Sequence, residues 1–412
     1  MEQPIQLTFG NYGHTLHHCQ VFSPDNQWIV YDTRNDDTQI GTTTRIERVN
    51  VVTKEIEVLY EVENPNEFGP GVGAVTYSPT EDKVIFIHGL DNATKDKPYG
   101  IARRSAVAID VSFPNVPIHL DARNVIEPYT KGALRGGTHS HSWHPNGELI
   151  SFTYNDEVLA DQNLPNERAV GVMFPQKVIV SSNNSKENFS GEMFSVIISK
   201  LVERAKNGSD EIEKAFDECW LGNKRELIFQ GWVRDDDGNR KTEIFHALLP
   251  EDLTKSDNVI LEGTKTQFPS VPKGVVIKRV TYTPKGISTF RHWLRSDSTG
   301  ENIYFLMEDD NLCTNIFELN LNSYQIRQVT FHTSSIYSPI NLSPDGQYLV
   351  YFCEDFLCYS SISDSSNIKV LDVDIALSGI PNFDKNGQFI YYNKYVEEKS
   401  ASKFLQIFKI KV

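Results

Sequence analysis

Residues 136–156, GGTHSHSWHPNGELISFTYND, decide the fold and contain the residues with the clearest chemical potential. In the second half, the run HPNG predicts a tight turn, because proline fixes φ and glycine or asparagine accepts a positive φ. The apolar run that follows predicts a strand. In the first half, His139, His141 and His144 come just before or within the turn. We therefore expect a structural unit and a functional site to meet here.

The same pattern of strand, turn and apolar strand recurs along the chain. The other copies are residues 20–34, 75–89, 294–310, 341–355 and 382–395. Further β-rich runs follow each copy, such as residues 44–52 and 56–61 after the first. About four strands per repeat is typical of a β-propeller blade.

One more blade is expected between residues 157 and 280, where the turn pattern is absent. ELIFQGWV (226–233) and EIFHALL (243–249) flank a hairpin signal in this gap. The gap also carries the residues of a helix start, Asp210 and Glu213, which form a capping-box pattern. The sequence therefore predicts an all-β, seven-bladed propeller with a short α-helical insertion in blade four, at about residues 200–220.

The two ends of the sequence predict how the ring closes. Residues 5–9 contain QLTF, which resembles the QVTF run that enters blade six. Residues 404–412 leave the last blade one strand short. We expect the N-terminal strand, residues 5–9, to pair with residues 404–412, which removes an open sheet edge. Residues 1–412 are thus expected to form a single propeller domain.

Composition restricts the partners and the compartment. The net charge of -15 opposes binding to nucleic acid or to an anionic membrane surface. No apolar run reaches the roughly 18 residues of a membrane span, and the first ten residues lack the pattern of a signal peptide. The five cysteines show no CxxC spacing, which favours reduced thiols. We expect a cytoplasmic protein with neither nucleic acid nor membrane as partner.

Polar residues are predicted in the central channel, which the first strand of each blade lines. Alternate residues of a strand share a face, so we number positions back from the turn proline. In blade three, His139 and His141 stand at positions −6 and −4 before Pro145. In blade one, His18 and Gln20 stand at the same positions before Pro24. In blade five, where Ser296 replaces the proline, His292 stands at position −4. These five side chains could hold a divalent metal such as Mn, Zn or Ca. The alternative is that they are hydrogen-bonded polar residues of a wet channel.

Four arginines are the predicted substrate ligands. Arg135 precedes the histidine strand, Arg291 precedes His292, and Arg103 and Arg104 lie in blade two. Guanidinium groups bind carboxylates in a bidentate manner, as a uronate would require. The alternative is ordinary ion pairing in a chain with 55 acidic residues. Arg103 and Arg104 fit that alternative equally well.

Several enzyme classes are disfavoured by missing motifs. The chain has no GxSxG nucleophile elbow. Its GPGVG run (69–73) does not lie between a strand and a helix, as a nucleotide-binding loop would. The DDD run (235–237) lacks the twelve-residue spacing of a calcium loop.

The repeats, preceded by Q-[LV]-T, resemble those of TolB-type β-propellers. Residues 133–156, 207–223 and 290–297 are similar to the YidR-like bacterial family, and this resemblance covers nearly the whole chain. It implies the fold and leaves the function open. A more distant resemblance is to oligogalacturonate lyases, cytoplasmic propellers in which three histidines and a glutamine hold manganese during β-elimination. Gly136 departs from that pattern, since a glutamine would be expected ahead of the His-x-His pair.

Two functions remain open at this point. In the first, the propeller binds an acidic, uronate-type saccharide in its channel, and a metal-assisted β-elimination would make it a polysaccharide or oligosaccharide lyase. In the second, it is a non-catalytic interaction scaffold, as many TolB-like propellers are, with an unknown protein partner.

Overall fold

The computed structural model describes residues 2–36, 38–181, 186–364, 366–373, 378–397 and 402–412. These residues form seven small antiparallel sheets, which confirms the seven-bladed propeller. β1 (Ile5–Gln6) comes first in the chain but lies in blade seven. Blade one contains β2 (Trp28–Asp32), β3 (Arg45–Asn50) and β4 (Ile56–Glu61). Blade two contains β5 (Val72–Tyr77), β6 (Lys83–Gly89), β7 (Arg104–Asp110) and β8 (Ile118–His119).

The remaining blades each combine four strands. Blade three contains β9 (Gly136–Trp143), β10 (Ile150–Asp156), β11 (Ala169–Val178) and β12 (Gly191–Ile197). Blade four contains β13 (Lys214–Trp220), β14 (Glu226–Arg234), β15 (Arg240–Leu248) and β16 (Val276–Arg279). Blade five contains β17 (Arg295–Ser296), β18 (Asn302–Glu308), β19 (Thr314–Asn320) and β20 (Ile326–Gln328). Blade six contains β21 (Asn341–Leu342), β22 (Tyr348–Cys353), β23 (Phe356–Ser361) and β24 (Ile368–Asp372). Blade seven contains β25 (Asn382–Phe383), β26 (Phe389–Glu397), β27 (Lys403–Lys411) and β1.

The first strands of successive blades are neighbours around the axis. β5 contacts β9, β13 contacts β17, β17 contacts β21, and β21 contacts β25. In blade one the run 15–22 takes the same inner place, since Thr15 and Phe22 form bridges with Asp32 and Ile29 of β2. The first strand of each blade therefore lies innermost.

The predicted turn in blade three forms as its residues require. Gly147 has a φ of 78° and donates from its backbone nitrogen to the His144 carbonyl at 2.8 Å. The double glycine before the histidines has a different role, which is close approach of the backbone. A Cβ on Gly136 would lie 2.0 Å from the Asn155 carbonyl oxygen, and one on Gly137 would lie 2.3 Å from the Ile101 carbonyl oxygen. β9 therefore fits between β10 and blade two only without these side chains.

Bulges interrupt the inner strands of blades two, three and four. Ala74, Ser140 and Asp217 have φ values of 55°, 58° and 51°, in the left-handed region that non-glycine residues rarely adopt. The register of each inner strand shifts at the same place. Each of these residues stands five positions before the turn residue of its blade, which is Pro79, Pro145 or Gly222. The strict alternation of side chains therefore breaks where the channel residues were predicted.

The ring closes in blade seven, where the two ends of the chain pair. Ile5 pairs with Lys409 and Gln6 with Phe408 in β27. Leu7 continues this pairing: its backbone nitrogen donates to the Ile407 carbonyl at 2.8 Å, and its side chain is fully buried. The outer edge of β27 is thus covered along part of its length.

The helix predicted at about residues 200–220 is wrong. Residues 214–220 form β13, the inner strand of blade four. Within the described residues, the α-helical segment is α1 (Glu157–Ala160), a single turn capped by Asp156 in blade three. Glu213 does not close a capping box; its carboxylate instead pairs with Arg234 and Arg240. No helix in the described part of the chain is long and apolar enough to cross a membrane.

Candidate functional site

Arg291 marks a contact point at the propeller axis. Its Nη2 donates to Ser140 Oγ in blade three at 3.1 Å, and its Nε donates to Asp217 Oδ1 in blade four at 3.1 Å. Arg291 itself leads into β17 of blade five. Because blades three and five are not neighbours in the ring, they can meet only at the axis. The Arg291 side chain is 46% exposed, so this part of the channel is open to solvent.

Two more arginines share this region. Arg104 is buried and donates from Nη1 to the Tyr99 hydroxyl at 2.8 Å. Arg168, just before β11, is half-buried. Burial, followed by the positive charges of Arg291 and Arg104, lowers the pKa of Arg168 to about 10, although the negative charge of Asp217 opposes the shift. We call Arg104, Ser140, Arg168, Asp217 and Arg291 the entrance cluster.

The entrance cluster carries excess positive charge. Among the residues that the structure describes, Asp217 pairs with Arg291, whereas Arg104 and Arg168 have no ion pair. Three guanidinium groups thus face one paired carboxylate, in a chain whose net charge is -15. Such a concentration of unpaired arginine favours an anionic ligand.

His139 and His292 use both ring nitrogens within their own blades. His139 Nδ1 lies 2.8 Å from Thr153 Oγ1, and its Nε2 lies 3.2 Å from Asn155 Oδ1. His292 Nδ1 lies 2.7 Å from the Phe290 carbonyl, and its Nε2 accepts from the Leu306 backbone nitrogen at 3.0 Å. Burial lowers the pKa of both rings, which keeps them neutral. Both are therefore structural hydrogen-bonding groups rather than free ligands.

The other predicted ligands are engaged in part, and the buried Nδ1 of His141 has no hydrogen-bond partner among the described residues. His141 Nε2 lies 3.0 Å from Thr138 Oγ1, and burial lowers the pKa of this ring to about 3. His18 Nδ1 accepts from the Gln20 backbone nitrogen at 3.2 Å. The Gln20 side chain donates to the Trp143 carbonyl at 2.6 Å and accepts from the Trp143 backbone nitrogen at 2.8 Å. Gln20 thus links blade one directly to blade three across the axis.

The predicted metal site is not formed by these residues. Within the described ranges, no group of three or more His, Cys, Asp or Glu side chains is arranged to hold a metal ion. The ring nitrogens of His139 and His292 and both side-chain atoms of Gln20 already bond to the chain. The donor set that the sequence predicted for Mn, Zn or Ca therefore does not fit a metal here.

Two of the four predicted substrate arginines are structural. Arg135 is fully buried and pairs with Asp156 at 2.6 Å. Arg103 is also buried, and its Nη1 pairs with Glu157 Oε1 at 2.7 Å and with Glu187. Neither guanidinium is available to a ligand, which corrects the prediction for both. Arg291 and Arg104 belong to the entrance cluster, as does Arg168, which the sequence analysis missed.

Two residues of the inner strand of blade four were not predicted, because this part of the sequence was assigned to a helix. Asp217 and Glu218 stand at the places that Ser140 and His141 occupy in blade three. The signal was present in DECWLGN (217–223), because Trp220 pairs with Leu227 as Trp143 pairs with Ile150. The correspondence was missed because the turn of blade four has no proline from which to number the positions.

Glu218 is a buried carboxyl group, and neither of its oxygens makes a hydrogen bond of normal geometry to another described residue, although the Ser151 hydroxyl lies close enough to favour its charged form. Burial raises its pKa to about 8, and the neighbouring negative charge of Asp217 adds to the effect. The group is therefore protonated in the folded protein at neutral pH. In the unfolded chain it would ionise near its ordinary value of 4.5. Its contribution to stability is thus complete below about pH 4.5 and is lost as the pH rises toward 8.

Substitution Glu218→Gln is expected to stabilise the protein at alkaline pH. Glutamine keeps the shape of the side chain and cannot ionise, so we expect a gain of about 4 kcal/mol at pH 8 and about 1 kcal/mol at pH 5. Unfolding by urea at both pH values measures this difference. The exposed Glu203→Gln serves as control and should change stability at neither pH. An equal effect of Glu218→Gln at both pH values would contradict the raised pKa.

Comparison of the sequence with known proteins found a matching family and a relative. Residues 71–189 match the family described as "protein of unknown function (DUF3748)". The Escherichia coli (strain K12) protein "Uncharacterized protein YidR" is 35% identical over 359 residues, which cover 85% of this chain and 84% of that protein.

Two solved structures share the fold at low identity. An oligogalacturonate lyase in complex with manganese matches with a TM-score of 0.58 at 11% identity, over 100% of this chain and 93% of that one. A puromycin hydrolase S511A mutant matches with a TM-score of 0.57 at 9% identity, over 98% of this chain and 52% of that one. At these identities the likeness concerns the fold alone. The identity to YidR, 35% over 85% of this chain, is much higher, and on that ground the chain belongs to the YidR family.

Proposed function

We propose that this propeller binds a small carboxylate-bearing ligand, an acidic saccharide of the uronate type, at the entrance cluster. The observation that carries the proposal is the group of three arginines around one paired carboxylate. Arg291 is the exposed member and would make the first contact with an incoming anion. Arg104 and Arg168 lie deeper and would hold the carboxylate where water is scarce, which strengthens the attraction.

The choice of saccharide rests on the shared fold and on the charge. The lyase that shares this fold acts on oligogalacturonate, as its name states. A uronate carboxylate is planar and accepts two parallel hydrogen bonds from one guanidinium. The proposal needs no metal, because the arginines supply the positive charge that would neutralise the carboxylate.

We further propose that cleavage, by β-elimination, uses Asp217 as the base. In this reaction a base removes the proton from the carbon next to the carboxylate, a C=C bond forms, and the glycosidic C–O bond on the following carbon breaks. The departing sugar oxygen takes the electron pair of that bond and a proton from solvent. Neutralising the carboxylate with arginine acidifies that proton. Asp217 belongs to the cluster, and its Oδ2 is a buried oxygen beside the exposed Arg291 that has no hydrogen-bond partner among the described residues.

Calorimetric titration with a galacturonate oligomer tests the binding step. We expect binding to the acidic oligomer, no binding to the neutral galactose oligomer of equal length, and weaker binding at high salt. Arg168→Gln and Arg291→Gln should each weaken binding by about tenfold or more. Arg327→Gln is the matched control, since the half-exposed Arg327 pairs with Glu318 in the outer strands of blade five, far from the axis.

The outcomes separate the proposal from the interaction scaffold. Equal affinity for the neutral oligomer, or full affinity in Arg168→Gln and Arg291→Gln, would refute the anion site. Cleavage is followed separately, through the ultraviolet absorbance of the new C=C bond conjugated to the carboxylate. Asp217→Asn should remove this product while the oligomer still binds. A protein that binds the oligomer without forming the product is a binding protein.

A further inference from the structure

A groove in blade five lies on the same propeller face as the entrance cluster. Its volume is about 780 Å³, and its wall combines the segment before β17, the end of β18, the start of β19 and part of the segment before β21. In an antiparallel blade, the starts of the first and third strands and the end of the second strand lie at one face. Arg291 precedes β17, Arg168 precedes β11 and Arg104 begins β7, so all three lie at that face. We call this cavity the blade-five groove.

The blade-five groove and the entrance cluster are built from consecutive residues. Phe290 lies in the groove wall and directly precedes Arg291 in the chain. Met307 lies in the wall as well, and the backbone nitrogen of Leu306 before it donates to His292 Nε2 at 3.0 Å. The Cα atoms of consecutive residues are about 3.8 Å apart. The sugar unit next to one held by Arg291 would therefore lie at the groove.

Aromatic rings form the apolar part of the blade-five groove. The rings of Phe290 and Tyr337 lie edge to face, with centroids 6.0 Å apart and planes at 62°. Phe290 is half-buried and packs against the core cluster that contains Ile336 and Ile340, which holds its ring in place. Tyr337 is 55% exposed. Such rings offer a flat apolar surface on which the C–H face of a sugar ring can pack.

Carboxylates make the polar part of the blade-five groove negative. The charged groups of its wall are Glu308, Asp309 and Asp310, against a single cation, Lys285. Asp309 is held by the chain, since its Oδ1 accepts from the Cys313 backbone nitrogen at 3.0 Å. Glu308 and Asp310 are exposed. Carboxylate oxygens accept hydrogen bonds from hydroxyl groups, whereas a carboxylate on the ligand would be repelled here.

We propose that the blade-five groove binds a sugar unit that carries no carboxylate, linked to the acidic unit at the entrance cluster. The acidic unit is that of the proposed function, on which the assignment of the groove rests. Phe290 and Tyr337 pack against the sugar ring, and Glu308 and Asp310 accept hydrogen bonds from its hydroxyl groups. The ligand is thereby narrowed to a mixed saccharide, because a chain of uronate units alone would place a second carboxylate in a negative groove.

Calorimetric titration with matched disaccharides tests this site. The probes are digalacturonate and two disaccharides of one galacturonate and one galactose, one for each order of linkage. Galactose has a CH₂OH group where galacturonate has its carboxylate, and is otherwise the same sugar. We expect one of the mixed disaccharides to bind about fivefold tighter than digalacturonate, or more, because the repulsion in the groove is absent.

Variants assign the difference to the groove. Glu308→Gln combined with Asp310→Asn should tighten the binding of digalacturonate and so reduce the difference, a gain that a misfolded protein could not show. Tyr337→Ala should weaken the binding of the mixed disaccharide about threefold or more and leave that of galacturonate alone unchanged. Phe113→Ala is the matched control, since Phe113 is 63% exposed in the turn after β7, on the opposite face.

The outcomes separate the groove from the entrance cluster. Digalacturonate that binds, loses affinity in Arg168→Gln and is matched by both mixed disaccharides would overturn the groove site and leave the acid site standing. Unchanged affinity of the mixed disaccharide in Tyr337→Ala would count against the groove in the same way. If no acidic disaccharide binds, the acid site is refuted and the groove site fails with it.

Discussion

Substitution Arg135→Met is expected to lower the free energy of unfolding by about 3 to 5 kcal/mol. Arg135 is fully buried; its Nε and Nη2 both bond to Asp156, and its Nη2 also donates to the Gln267 carbonyl at 3.0 Å. Methionine fills much of the same volume but leaves the buried Asp156 carboxylate with two hydrogen-bond donors among the described residues, the Tyr154 hydroxyl and the Leu159 backbone nitrogen. Most of the loss therefore comes from the carboxylate that has lost its counter-charge.

Chemical denaturation of the variant and of a matched control measures this effect. Arg327→Met removes an arginine whose pair with Glu318 is half exposed, and it should cost about 0 to 1 kcal/mol. The double variant Arg135→Met with Asp156→Asn should recover part of the loss, because the unpaired charge is removed. Equal losses for Arg135→Met and Arg327→Met would contradict the structural role assigned to Arg135.

Removal of residues 1–9 is expected to have the second large effect, a loss of about 5 kcal/mol together with self-association. The deletion removes β1 and the fully buried side chain of Leu7. It also removes Thr8, whose hydroxyl accepts from the Ile407 backbone nitrogen at 2.8 Å. β27 would then present open backbone groups to other molecules.

Removal of residues 1–4 is the matched control, because it shortens the chain but leaves β1 paired with β27. The two proteins are compared by thermal unfolding and by size-exclusion chromatography. The longer deletion should melt lower and elute partly as larger species. If both deletions behaved like the intact protein, the pairing of the two chain ends would not contribute to stability.

The fold could be predicted from the repeats, because the residues within each repeat determine its strands and its turn. The turn at Pro145 combines a proline with a glycine in the left-handed region, and the apolar runs on both sides have the length of strands. These signals do not depend on residues elsewhere in the chain. Seven blades could therefore be counted from the sequence, and the structure has seven sheets.

The blade-four helix failed because tertiary contacts outweigh a local pattern. Asp210 and Glu213 match a helix start, but Arg279 and Tyr282 bind Asp210 in the structure. The Glu213 carboxylate forms ion pairs with Arg234 and Arg240 from the next two strands. These partners lie more than twenty residues along the chain, and a local pattern contains no information about them.

The site was predictable only in part, because its geometry depends on bulges. Alternation from the turn proline selected His139 and His141, but Ser140 between them is the residue that contacts Arg291 at the axis. The left-handed conformation of Ser140 has no signature in its residue type. Arg168 lies in a connection between strands, where no periodic pattern exists to assign it. Arg291 and Arg104 were found because they adjoin recognisable strands.

The link between Gln20 and Trp143 ties together two blades that are not neighbours in the ring. Its two hydrogen bonds run from the inner run of blade one to the inner strand of blade three. Blade two lies between these blades, and its inner strand contacts that of blade three. The inner ends of three consecutive blades are therefore held as one unit, so this side of the ring is expected to move together when a ligand binds at the axis.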